Sequence, residues 1–414
     1  MPAPAKKAAA KKAPAKKAPA KKAPAKKAAA TGMKAARDRF AAQFDKSHGE
    51  GLLDRSGEIV AYEVISTGCL SLDEALGVGG WVEGRLNEIW GVDAIGKTTL
   101  AIQALREAQK KHPDKLVAVI DMEHTFDKKW AALHGVNIDS DHLWLVRPDS
   151  AEQVADIMKD CLRSGLFSII VLDSIGAMIP EAEKEKDADQ ATMAIQAKIV
   201  TRMVKIAAVE ADNTSTVVLF LNQVRANLSY GADTTTGGGF ALKHVTTHKL
   251  KLSRGGREPF KVKIAGQEKP VEVGHEVAVL VERNKVAPPK RRAQFVLFHT
   301  PTAKYGPAGI DKVDDAVTVG IRADVIHQRG GYYDLPTGET VQGREAVVEA
   351  LRGNYTLIEM IREGCLQRLK DQVVVGEEAN PLADPEAVEA LANIEGLEVA
   401  GSSIFGNSMG GEGD

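Results

Sequence analysis

Residues 91–98 read Gly91, Val92, Asp93, Ala94, Ile95, Gly96, Lys97, Thr98: two glycines with four residues between them, then a lysine and a hydroxyl. Each type has a job beside a phosphate. Glycines let backbone N–H groups turn inward on an anion, and a helix N-terminus behind them adds favourable partial charge. Lys97 is expected to reach the terminal phosphates, and Thr98 Oγ1 to hold Mg²⁺, with Thr99 continuing the first helical turn. Such a loop works only between a strand and a helix. The apolar run 86–90 and the helical pattern 99–109 supply both.

Three further strand ends carry polar groups. Asp173 closes the apolar run 168–173, the position of an acid that orients Mg²⁺. Asp121 and Glu123 follow the run 116–121, and Asn222 and Gln223 follow 216–221. Phosphoryl transfer to water needs a group that positions the attacking water. Glu123 is the candidate, while Asp121 is expected in the metal's outer shell or as a structural cap. Gln223 is expected to sense the γ-phosphate and to pass strain into the long glycine-bearing loop 224–240.

The elements that must position these groups follow from patterning. Fully apolar strands alternating with helices predict an α/β fold whose mostly parallel central sheet is covered on both faces. In such a sheet ligands gather at the carboxyl ends of the strands. The segments near 245–252, 276–283 and 293–299 alternate apolar and polar residues and are expected as antiparallel additions to one edge. A smaller mixed unit follows, with turns at 329–331 and 337–338.

The net charge of −2 hides an asymmetry: residues 1–32 carry ten lysines and no acid, residues 371–414 ten acids and no Lys or Arg. The first stretch repeats Lys-Lys-Ala-Pro-Ala at 11–15, 16–20 and 21–25. Proline every fifth residue blocks a continuous helix and the lysine pairs repel, so an extended tail is expected, suited either to a nucleic-acid backbone or to solubility alone. The expected plan is a disordered tail over 1–32 and an oligomerisation segment over 33–60, with a helix at 34–48 built on Ala35, Phe40, Ala41 and Phe44. An ATPase core over 61–300, a small C-terminal α/β domain over 301–370 and a disordered acidic tail over 371–414 complete it. No run of eighteen apolar residues exists, which excludes a membrane-spanning helix. The N-terminus lacks an apolar leader core, and three cysteines show no metal-ligand spacing, so a reducing cytoplasm is expected.

From about residue 33 to 369 the chain resembles the bacterial RecA-type recombinases. The resemblance rests on Ile65-Ser66-Thr67-Gly68, Ser71-Leu72-Asp73, the phosphate loop, Asp121-Met122-Glu123-His124 and Leu172-Asp173-Ser174. It continues through Asn222-Gln223-Val224-Arg225, Thr234-Thr235-Thr236-Gly237-Gly238 and Arg283-Asn284-Lys285. It implies a P-loop NTPase of RecA-like core that uses ATP and Mg²⁺. The implied assembly is a helical filament of identical subunits on single-stranded DNA, pairing it with homologous duplex in recombination, repair and the SOS response, and associated with the nucleoid when on DNA. By the same resemblance Glu123 is the water-activating glutamate and Gln223 the γ-phosphate sensor. Asp127 and Trp130 fall where adenine is contacted, and Arg283 and Lys285 match a basic pair that reaches a neighbouring subunit's ATP. Two DNA loops are implied, about 181–193 and 224–240. Met193 matches an apolar wedge, Lys198 and Lys205 match phosphate-binding arginines, and Arg225, Tyr230, Gly237 and Gly238 belong to the second loop.

The chain departs from that pattern at several positions. Ala94-Ile95 replace two serines, the first DNA loop lacks glycines and is more acidic than basic, the second is shorter, and His244 replaces an interface Phe. Host and phage origins both fit these departures. Two alternatives stand beside the recombinase: a ring-forming, helicase-like motor on the same core, and a DNA-binding regulator with a decayed ATPase. Retention of Lys97, Thr98, Glu123 and Asp173 weighs against the last.

Overall fold

The computed structural model describes residues 25–49, 53, 61–184, 190–225, 235–236, 239–263 and 269–378. The chain divides into two units, Met1–Ala61 and Tyr62–Asp414. The first contains the helix Ala25–His48, so helix begins inside the expected tail rather than at 34. Pro24 is the last proline before it, and the Ala- and Lys-rich stretch that follows holds strong helix formers. Phe40, Phe44 and His48 stand four residues apart on one side, with ring centroids separated by 6.4 and 4.7 Å.

The second unit is built on a mixed sheet of eleven described strands. Its main path runs Gly309–Ile310, Arg292–Phe298, Val271–Asn284, His248–Arg254, Leu86–Gly91, Val217–Arg225, Phe167–Asp173, Leu116–Asp121, Leu143–Val146. From His248–Arg254 to Leu143–Val146 every pairing is parallel. Leu86–Gly91 and Phe167–Asp173 are buried at every position, which requires a layer on each face. The helix Lys97–Lys111 packs on one face over Ile89, Val171 and Leu219. Helices Ala151–Ser164 and Gln190–Thr214 cover the other, over Ile170, Leu172 and Phe220. The bounds of Ala151–Ser164 are set by Ser150, which caps its start, and Gly165, at φ 67°, which ends it.

The strand His248–Arg254 corrects one expectation. It runs parallel to Leu86–Gly91 and antiparallel only to Val271–Asn284. Its alternation reports unequal faces rather than direction. Leu250 and Leu252 enter the core, while Lys249 and Lys251 lie over the Trp90 ring at 5.2 and 4.9 Å.

Helices Lys312–Arg322, Arg344–Leu351 and Tyr355–Glu378 enclose a second apolar cluster with a three-stranded sheet, whose turns fall at the expected glycines. Its bounds differ from 301–370. Gly309–Ile310 still pairs with Arg292–Phe298 in the main sheet, and the last helix continues past 370 because no proline interrupts it before Pro381. Leu70 belongs to this cluster, and the buried Asp315 carboxylate accepts from Leu70 N at 2.6 Å and Ser71 N at 3.2 Å, capping the helix Leu70–Leu76. No helix among the described residues is long and apolar enough to cross a membrane.

Asp315→Ala leaves two buried N–H groups without acceptors at the start of that helix. A loss of about 2 kcal/mol is expected by urea unfolding of the full chain, with a smaller loss for Asp315→Asn. A change of less than about 0.5 kcal/mol for the alanine variant would contradict the cap.

Candidate active site

Gly91 and Gly96 are fixed by close approach. A Cβ on Gly91 would stand 2.6 Å from the Leu252 carbonyl oxygen. Gly96 has φ +108°, and a Cβ there would meet Leu297 Cδ2 at 2.5 Å. Between them Val92, Asp93 and Ala94 are exposed, and Ala94 takes a φ of 57°. Ile95 is buried in the core, which accounts for the departure at Ala94-Ile95. The isoleucine anchors the loop by packing, so its polar work is left to backbone N–H groups.

Lys97 Nζ donates to the carbonyls of Gly91 and Val92 at 3.0 and 2.9 Å and lies 3.8 Å from Asp93 Oδ1. Burial lowers the pKa of this ammonium, against the pull of Asp93, Asp173 and Glu123. One residue on, Thr98 Oγ1 donates to Asp173 Oδ2 at 2.9 Å. Burial pushes the Asp173 carboxyl up to about 6; Thr98 opposes the shift, and Glu123 and Asp121 add to it. Thr99 is buried in the first helical turn.

The parallel register sets the second half of the site. Asp121 pairs with Asp173 and Gly91 with Gln223; Leu172 pairs with Phe220, so Gly91 and Gln223 lie two residues further along the same carboxyl edge than Asp121 and Asp173. Glu123 Oε1 accepts from Ser174 Oγ at 2.5 Å and from Gln223 Nε2 at 3.0 Å. Asp121 takes the capping role of the two expected for it. Its carboxylate accepts from Thr125 N and Phe126 N at 3.2 and 3.1 Å, holding the turn that carries Glu123. Asn222 is structural, since its Nδ2 donates to the buried Glu88 Oε1 at 3.0 Å. Ser174 is the member that sequence reasoning did not single out; its only signal is a hydroxyl directly after Asp173.

Two other expected residues make local contacts. Asp127 caps the helix Lys128–Leu133 through Lys129 N at 2.7 Å, and the Trp130 ring packs on His134 at 4.4 Å. Arg283 and Lys285 are far from their own phosphate loop. Arg283 pairs with Lys249 and Asn284 with His248, which pairs with Asn87 near the start of Leu86–Gly91, whereas the loop leaves from its end. Lys285 Nζ donates to the His244 and Val245 carbonyls at 2.6 and 3.1 Å, at the end of the helix Gly239–Val245.

The implied DNA loops are narrower than expected. Residues 181–184 and 190–193 are helical, so Met193 lies in the first turn of Gln190–Thr214. Arg225 still belongs to a strand, paired with Thr235, and helix resumes at Gly239. Tyr230, Gly237 and Gly238 lie outside the described residues. Lys198 and Lys205 are exposed on Gln190–Thr214 with Arg202 exposed between them. That third cation was missed, although 198, 202 and 205 follow helical spacing.

A phosphate loop, an acid bonded to its hydroxyl and a carboxylate held beside them on parallel strand ends define a P-loop nucleoside triphosphate hydrolase. Residues 35–302 match the RecA N-terminal domain family. The chain is 32% identical over 356 residues to the RecA protein of Nitrobacter winogradskyi, covering 84% of this chain and 93% of that one. It is 34% identical over 342 residues to that of Caulobacter vibrioides, covering 81% and 91%. Against that of Porphyromonas gingivalis it is 34% identical over 334 residues, covering 80% and 93%. The chain belongs to the RecA family. It is accordingly a nucleotide-binding recombination and repair protein with DNA-dependent ATPase activity, and the ring-motor alternative is not favoured.

A proton binds Asp173 more tightly in the folded protein than in the unfolded chain. Its contribution to stability is therefore full below about pH 4 and lost as pH rises through about 6. Asp173→Asn removes that loss, so relative to the parent it is expected to gain about 2 kcal/mol between pH 4 and pH 7 in nucleotide-free protein. Urea midpoints at both pH values measure this; a pH-independent difference would contradict the buried, proton-retaining carboxyl.

Proposed function

We propose that ATP is hydrolysed at the carboxyl edge of the parallel sheet by Lys97, Thr98, Asp173, Glu123 and Gln223. The observation that carries this reading is the pair of contacts Thr98–Asp173 and Glu123–Gln223 on neighbouring strand ends. A hydroxyl and a carboxylate oxygen suit a hard cation, so Thr98 and Asp173 would hold Mg²⁺, directly or through water, which supplies charge neutralisation for the phosphate oxygens. Gly91, Val92, Asp93, Ala94, Ile95 and Gly96 cradle the phosphates, and Lys97 leaves its loop carbonyls for the terminal phosphate. Ser174 and Gln223 both hold Glu123 Oε1, which fixes the carboxylate plane and leaves Oε2 to orient the attacking water. Asp127 and Trp130 are assigned to the adenine, with the Trp130 ring offering a stacking face.

Gln223 also connects this chemistry to DNA. Its strand continues to Arg225 and pairs with Thr235–Thr236, so a shift of the side chain on γ-phosphate loss bears directly on the second DNA segment. We assign Met193, Lys198, Lys205, Arg225, Tyr230, Gly237 and Gly238 to DNA, with Arg202 added by its position between the two lysines. The Lys-rich stretch 1–32 adds nonspecific phosphate contacts, and on DNA the protein joins the nucleoid.

We assign Arg283 and Lys285 to the neighbouring subunit's nucleotide in a helical filament, with residues 33–60 as the oligomerisation segment. What supports the shared site is the distance of both residues along the sheet from their own loop. Positive charge supplied in trans stabilises developing phosphate charge only after assembly. Lys285→Ala is expected to bind ATP yet lose DNA-stimulated turnover. Mixed with Lys97→Ala under conditions that let subunits exchange, it regains activity, because some interfaces then join an intact loop to an intact Lys285. Normal DNA-stimulated hydrolysis by Lys285→Ala alone would overturn the shared site.

A further inference from the structure

Beside the phosphate loop's supporting strands, Glu272, His275 and His299 bring their ligand atoms within 4.8 Å of one another. Glu272 and His275 are three residues apart on one strand and would face opposite ways in a regular pleat. The register slips between them: Phe260 stands opposite Gly274 and Lys261 opposite Glu272, so the strand takes up one extra residue. That bulge returns Glu272 to the side of His275. His275 pairs with Leu297, and His299 lies two residues beyond, its N–H donating to the Val273 carbonyl at 3.0 Å.

His275 is 3% exposed, and among the described residues neither of its ring nitrogens has a hydrogen bond of good geometry, although the Ile95 backbone lies near. A buried imidazole with both nitrogens unsatisfied is costly. Bonding one nitrogen to a metal would relieve that cost.

We propose that Glu272, His275 and His299 form a binding site for a borderline divalent transition metal of the Zn²⁺ class, with water in the remaining position. Two imidazoles and one carboxylate suit such an ion and not Mg²⁺ or Ca²⁺, which prefer oxygen ligands. An outer layer is in place. Arg254 Nη1 donates to Glu272 Oε1 at 2.9 Å, which leaves Oε2 for the metal. Thr300 Oγ1 lies 3.3 Å from His299 Nδ1, which leaves Nε2. Tetrahedral zinc separates its ligand atoms by about 3.4 Å, so the three groups need close by no more than about 1.4 Å. That movement falls to exposed His299 and half-buried Glu272. Bound metal would clamp together the strand ending in Arg283 and Asn284 and the strand whose Leu297 lies against Gly96.

The test is calorimetric titration of the chelator-treated full chain with zinc chloride, without nucleotide, alongside thermal melting. One tight site per chain and a rise in Tm are expected. His299→Ala and Glu272→Gln, both outside the core, should weaken binding roughly tenfold or more and remove most of the Tm rise. No zinc bound by the parent protein would overturn the site. So would equal affinity and stoichiometry in both variants, which would put the zinc on other residues.

Discussion

The phosphate loop is held by two close approaches, Gly91 to a backbone carbonyl and Gly96 to a leucine side chain, and the rest of the site depends on them. Gly91 lies against the Leu252 carbonyl, which leaves no room for a Cβ, and Gly96 lies against the Leu297 side chain with a φ of +108° that favours glycine. The helix Lys97–Lys111 starts directly after Gly96, so its first residues meet the neighbouring strand end that carries Asp173. Thr98 reaches Asp173 only because that helix begins where it does. The isoleucine in the loop fits the same constraint, since its packing supplies an anchor that requires no side-chain polarity.

A second constraint is the parallel register. It sets Asp121 beside Asp173 and Gly91 beside Gln223, the second pair two residues further along the same carboxyl edge. Asp121 spends its carboxylate on the turn after it, and that turn presents Glu123 to Ser174 and Gln223. The two acids thus differ in their contacts: Asp121 accepts from backbone N–H groups of the turn, and Glu123 from the Ser174 and Gln223 side chains. Gln223 is both a partner of Glu123 and part of the strand that enters the Arg225–Thr235 pairing, and on the proposed function it therefore links the chemistry to the second DNA segment.

Much of this was legible in the sequence because it is local. A glycine spacing, an apolar run ending on an acid and an amide pair after another such run each report a strand end directly. What was not legible depends on pairing between distant segments. Nothing in the order Arg283-Asn284-Lys285 says that antiparallel pairing with 248–254 carries it to the end of the sheet opposite the loop. The direction of 248–254 was hidden because alternation records which side chains are buried, not which way a neighbour runs. The bulge at Val273 leaves no mark in the residue types, yet it decides that Glu272 and His275 share a side. At the N-terminus the opposite error arose: the repeat suggested uniform extension, while local propensity after Pro24 already favours helix.

The most direct test of this account is ATP turnover by Gln223→Ala, measured with and without single-stranded DNA beside a nucleotide-binding assay. If Gln223 holds the water-orienting carboxylate and joins it to the DNA segment, the variant binds ATP with near-parental affinity and loses DNA stimulation by roughly a hundredfold, toward the basal rate. Full DNA stimulation in Gln223→Ala would contradict it, because the contact between Glu123 and Gln223 would then carry neither the chemistry nor its coupling to DNA.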